Sequence, residues 1–195
     1  MHALSIRQPF AALLAAADPR VGWEHVKRAE FRGIAPAHVV GERIALQAAK
    51  ADHELAPHVR RLLGPVSLAA GYSHVYSARQ AVVATARVAG FERAFAGARS
   101  ARLCVSERLD DDQVRTVLRL FTFDGQWAWR LDDVVALPRP VRCNGSLGLW
   151  TLPAAVAHEV CELEALARDQ GPLVGVSEGT RQALAASAPR QGRLL

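Results

Sequence analysis

ALSIRQPFAALLAAA, residues 3–17, is the stretch on which the fold class turns. Ala3 to Ile6 is short and apolar, a strand, and Pro9 stands where it can open a helix running from Phe10 to Ala17. Asp18-Pro19 ends that helix, because a residue before proline is pushed out of the α region. Outward from this strand-then-helix unit, Glu42 to Ala49 follows Gly41 with Ile44, Leu46 and Ala48 on one face, the pattern of a half-buried second strand. Asp52 can cap a helix to about Arg61, which Gly64-Pro65 ends. Residues 81–89 are the strongest β run and 101–105 a weaker one. Asp110, Asp111 and Asp112 read as the start of a helix carrying Val114, Val117, Leu118 and Phe121 rather than as a metal site. Residues 125–131 form a strand and 134–143 an extended edge segment, since Pro138 and Pro140 cannot donate to a central ladder. A tight loop at Asn144-Gly145 to Gly148 leads to Leu149-Trp150, and Pro153 opens a last amphipathic helix to about Arg168. The expectation is α+β, a small closed or nearly closed β-barrel with flanking helices. It divides into residues 1–152 and a C-terminal helical extension with a mobile tail, 153–195.

A chain of 195 residues, half of them hydrophobic and 22% charged, is expected to fold as one compact unit with a helical appendage. No apolar run approaches the roughly 18 residues of a membrane span. Arg7 interrupts the first apolar patch, so no secretory signal is expected and a cytoplasmic location follows. Cys104, Cys143 and Cys161 are odd in number and widely spaced, which predicts neither disulfides nor a zinc site. No metal or cofactor is expected.

Charge carries more. The net charge is +5, and the excess lies in residues 1–98, with 12 basic and 7 acidic side chains against 12 and 12 in the remainder. A pI near 9.7 points toward a polyanionic partner, although 22 of the 24 cations are arginine, partly a trait of GC-rich coding. Lys27, Arg28, Glu30 and Arg32 are four charged side chains in six residues, accompanied by Trp23 and Phe31, with Lys50 ending the second strand. Such a basic loop with interleaved aromatics can grip phosphates while stacking bases; the alternative is a solvated loop in which Glu30 and Arg32 merely pair. The second candidate is Asn144-Gly-Ser-Leu-Gly-Leu-Trp150, where two glycines allow close approach of backbone N–H groups and Ser146 is the hydroxyl; the alternative is a simple turn above a core Trp150.

Leu4-Ser-Ile-Arg-Gln-Pro-Phe10, Lys27-x-x-Glu30-x-Arg32-Gly33 and residues 41–50 resemble the N-terminal signature of ASCH domains in the PUA-like superfamily. Residues 126–133, Leu137-Pro-Arg-Pro140 and Gly145-Ser-Leu-Gly-Leu-Trp150 resemble its closing signature, so the resemblance covers roughly residues 3–152. It implies a PUA-like β-barrel plugged by a helix, with nucleic acid, chiefly RNA, in a cleft between the loops at 27–32 and 145–148 and with Arg7 and Gln8 at the mouth of the first helix. The nucleic-acid-binding set is Arg7, Gln8, Trp23, Lys27, Arg28, Arg32, Lys50, Trp127, Asn144, Gly145 and Ser146. Trp129 and Trp150 are expected in the core, with Trp127 or Trp23 left for a ligand.

Some family members are metal-independent hydrolases, acting on acylated cytidine or on RNA, and Lys27 matches their shared active-site lysine. On that alternative Lys27, Glu30 and Ser146 are the catalytic candidates, with Tyr72, Tyr76 or a histidine such as His25 handling protons. The chain departs from the amidohydrolase pattern, with Glu30 in place of threonine and Arg87 or a neighbour in place of a carboxylate. A carboxylate beside a lysine favours the ammonium, which suits binding of phosphate or carbonyl oxygen better than proton abstraction. Binding of single-stranded or unpaired RNA therefore ranks first. A protein partner meeting the last helix is a further possibility.

Overall fold

The computed structural model describes residues 1–15, 17–18, 24–25, 27–52, 54, 73–93 and 127–170. The order is β1 (His2–Gln8), α1 (Phe10–Ala15), β2 (Ala17–Asp18), β3 (Glu24–His25), β4 (Ala29–Arg32), a 3-10 turn at Ala37–Val39, β5 (Arg43–Asp52), α2 (Ser73–Ser77), β6 (Ala81–Arg93), β7 (Trp127–Arg142), β8 (Leu149–Thr151) and α3 (Ala154–Gln170). Trp23 and Tyr72, and the segments expected as a helix at 52–61, a strand at 101–105, a helix from 110 and a tail beyond 171, lie outside the described residues or mostly so.

Six strands form one sheet in the order β4-β7-β6-β5-β1-β8, with β1 and β5 parallel and the other pairs antiparallel. The fold is mixed α+β. Among the described residues the sheet is not a hydrogen-bonded barrel, since β4 and β8 remain its edges. It nevertheless curls. Four strand spacings, about 19 Å, would separate β4 from β1 in a flat sheet, more than an arginine side chain spans. Yet Arg32 Nη2 donates to the Ser5 carbonyl.

Each face of the sheet has its own core. On one, Leu4, Ile6, Ile44, Leu46 and Ala48 pack with Trp129 and Leu131 against Ala11, Ala12 and Leu14 of α1, so the first helix plugs the curl. On the other, Ala3, Ala45, Val82, Leu137 and Val141 meet Leu152, Val160 and Leu163. Helix α3 thus shares a core with the sheet. Because both faces are covered, β5 is buried without a break from Ile44 to Ala48 and β6 from Ala81 to Ala86, rather than half-buried as the alternation in β5 predicts.

The two extended segments expected at 125–131 and 134–143 are one strand, β7, turning at Asp133, whose φ is 45°. Only residues 127–130 pair with β4, so the proline-bearing half has β6 alone as partner, the edge environment prolines require. Pro138 and Pro140 fall in the irregular stretch between the Ala136–Ala84 and Val141–Val82 pairs.

Candidate nucleic-acid interface

Strand alternation places Glu30 and Arg32 on one face of β4, opposite Trp129 and Trp127 of β7. Lys27 precedes the strand, and its backbone N–H donates to the Leu13 carbonyl at 3.3 Å, fixing it against α1. Its side chain is buried, and the ammonium is ion-paired with Glu30 Oε2. Two aromatic rings flank it, with centroids at 5.6 Å for Phe10 and 5.8 Å for Phe31, within cation–π range. The second oxygen of Glu30 lies 3.1 Å from Arg32 Nη2. One buried carboxylate therefore serves two cations and leaves the cluster with a net positive charge. The Glu30–Arg32 pair is formed, between a buried carboxylate and a half-buried guanidinium.

Arg32 joins this cluster to the glycine loop. Its guanidinium bonds the Ser5 carbonyl, while the Ser5 hydroxyl accepts from Trp150 Nε1 at 3.0 Å. A Cβ on Gly145 would lie 2.6 Å from Ser5 Oγ and 2.5 Å from Gln47 Oε1, so the backbone of the loop rests on these two side chains and any larger residue would have to displace them. Gln47 is the register partner of Ser5, and its amide donates to the Cys143 carbonyl at 3.0 Å. Burial pushes the neighbouring Cys143 thiol pKa up, the state of an unreactive thiol. Among the described residues, Arg32 Nε and Gln47 Oε1 are buried and have no hydrogen-bond partner.

The remaining candidates separate by environment. Arg7, Arg28, Lys50, Asn144, Gly145 and Ser146 are exposed. Asn144 Oδ1 accepts from Gln80 at 3.0 Å. Gln8 is at the start of α1 but 2% exposed; its amide donates to the carbonyls of Val75 and Ala78 and its Oε1 accepts from the Ala12 N–H, capping α1 from within. Trp129 is a core residue whose Nε1 donates to the Ile34 carbonyl, and Trp150 packs on the core beneath α3. Trp127 is half-buried, with Phe91 edge-on at 5.3 Å and the Arg93 guanidinium over its ring at 5.1 Å. Tyr76 is half-buried against the core. Arg87 is exposed and held cationic by its bond to Asp132, distant in role from the buried cluster.

Ser5, Gln47, Phe91 and Arg93 belong to this neighbourhood and were not among the sequence candidates. The signal for Gln47 was present: a lone polar residue inside an apolar strand asks for a buried partner. Nothing local pointed to Phe91 or Arg93, which meet Trp127 across a register only the sheet defines.

No family model matches the chain, and no curated protein matches it in sequence. Solved structures do. The ASCH structure from Zymomonas mobilis aligns over 83% of this chain and 94% of that chain, at 16% identity and a TM-score of 0.46. A tyrosine-to-phenylalanine variant of that protein gives 16% and 0.45 over 83% and 96%, and a serine-to-alanine variant 17% and 0.43 over 83% and 94%.

Proposed function

We propose that this protein binds single-stranded or locally unpaired nucleic acid, RNA before DNA, in the notch between Lys27–Arg32 and the Gly145 loop. The observation that carries this reading is the buried Lys27–Glu30–Arg32 cluster, bridged by Arg32 through Ser5 to the glycine loop. Burial keeps a positive charge in a low-dielectric setting, where it attracts phosphate or carbonyl oxygen more strongly than in water. Exposed Arg7, Arg28 and Lys50 supply cations for the flanking backbone.

The competing reading is metal-independent hydrolysis by the same cluster. Both oxygens of Glu30 face cations, which weighs against a carboxylate acting as a base. Labelled single-stranded RNA incubated with protein in EDTA, alongside Lys27→Ala checked for folding by circular dichroism, separates the two. Binding predicts a mobility shift of intact RNA that weakens in the variant. Shortened products lost in the variant would establish the hydrolase instead, and no shift with either protein would end the binding proposal.

A further inference from the structure

Across β4, β7 and β6 the register sets Arg32, Trp127 and Arg93 in one row, on the same face of three adjacent strands. The next row is Glu30, Trp129 and Phe91, and Phe91 sets its ring at 74° to that of Trp127. The indole is thereby braced from its edge. Over its face lies the Arg93 guanidinium. Arg93 is exposed, and among the described residues no carboxylate pairs with it. A guanidinium lying over an aromatic face needs no salt bridge to stay put, and it keeps both a planar outer face and N–H groups for a ligand.

Resting on the nucleic-acid reading above, we infer that the row Arg32–Trp127–Arg93 is a second nucleotide subsite, so that the ligand is a single-stranded oligonucleotide rather than an isolated nucleoside. A base stacks on the outer face of the Arg93 guanidinium, which Trp127 supports from beneath, and a phosphate bonds the guanidinium edge. Continuity with the first subsite is direct. Arg32 is shared: it contacts Glu30 and Ser5 at the notch and is the register partner of Trp127 in the row. Two strand spacings, about 10 Å, separate Arg32 from Arg93, so the row leads away from the notch across the sheet. Charge complementarity selects the occupant, since the row offers cations and aromatic surface, while Glu30 in the adjoining row is already taken up by Lys27 and Arg32.

The test compares a fluorescein-labelled five-nucleotide RNA with an unlabelled mononucleotide competitor, using the full chain and Arg93→Gln. Loss of one stacked base predicts about ten-fold weaker binding of the five-mer with mononucleotide competition unchanged. Arg93→Lys, which keeps the charge without the planar face, is expected to recover only a minor part of the affinity. Equal weakening toward both ligands, or no weakening of the five-mer, overturns the second subsite while leaving the first intact. Full recovery by lysine overturns the stacking role. A wild-type protein that binds neither ligand overturns the nucleic-acid reading itself, and the subsite with it.

Discussion

Glu30 stands between two cations, and the consequences of removing each member are unequal. Glu30→Gln removes the carboxylate that Lys27 and Arg32 share, whereas Lys27→Met leaves Glu30 still paired with Arg32. Removing one partner of a buried ion pair costs about 3–5 kcal/mol, so Glu30→Gln, which breaks two pairs at once, is expected near that range and Lys27→Met, which breaks one, clearly below it. Urea denaturation of the two variants measures the difference; equal losses would mean that Arg32 contributes nothing to the cluster. Gly145 makes a second case. A methyl group there collides with Gln47 Oε1 and Ser5 Oγ, and Gly145→Ala is expected to cost about 1–3 kcal/mol as an overpacking substitution. In a double-mutant cycle with Gln47→Ala part of that loss should return, because the amide is one of the two groups struck. Strict additivity would place the loop elsewhere. Lys27, Glu30 and Arg32 were readable as a group from their spacing. Their burial was not, since it depends on Phe10 and Leu13 arriving from the first helix.

At the scale of elements, α3 is fastened to the sheet by more than its apolar face. Asp133, in the left-handed turn of β7, is bonded by Arg168 of α3 and Arg43 of β5. Arg43 also bonds Thr85 of β6 and is ion-paired with Glu164, which accepts from Arg168 at 2.9 Å. Two arginines and two carboxylates thus balance across three strands and a helix. The hydrogen bond from Arg168 is the chief cause holding the Asp133 carboxyl below its usual range, with Arg43 adding to it. A folded-state pKa below the unfolded one contributes stability that is complete above the unfolded value and is lost as pH falls through the folded one. The contribution of Asp133 should therefore be intact above about pH 4 and fade below it. Asp133→Asn is expected to flatten the acid limb of a Tm-against-pH profile; an unchanged slope would remove Asp133 from the linkage. Leu163→Ala, beneath the same helix, should cost about 2–3 kcal/mol in a urea titration. The helix itself was legible from its opening proline and apolar spacing. Its docking was not, because Arg43, Asp133, Glu164 and Arg168 come from three separate segments.

For the whole molecule, the charge surplus becomes meaningful only through placement. Arg7, Arg28 and Lys50 are exposed cations, while Lys27 and Arg32 share the single carboxylate of Glu30. Affinity for single-stranded RNA should fall linearly in log Kd against log salt, and neutralising any one of Arg7, Arg28 or Lys50 to glutamine should reduce the slope by about 0.7. A slope unchanged in all three variants would move the phosphate path off this rim. None of the described helices is long and apolar enough to cross a membrane.

Local signals determined the strand-then-helix opening, the strands around 44–48 and 81–89, the terminal helix and the spacing that sets Glu30 and Arg32 on one face. Periodicity, proline and glycine act within a few residues and are written directly in the chain. Only the tertiary structure decided that β5 and β6 are covered on both faces, that the sheet curls without its edges pairing, that Gln8 is a buried cap, and that Ser5 and Gln47 underlie the Gly145 loop. Those outcomes depend on which surfaces meet across long stretches of chain, and a residue's pattern with its neighbours says how it can bury itself but not what will cover it.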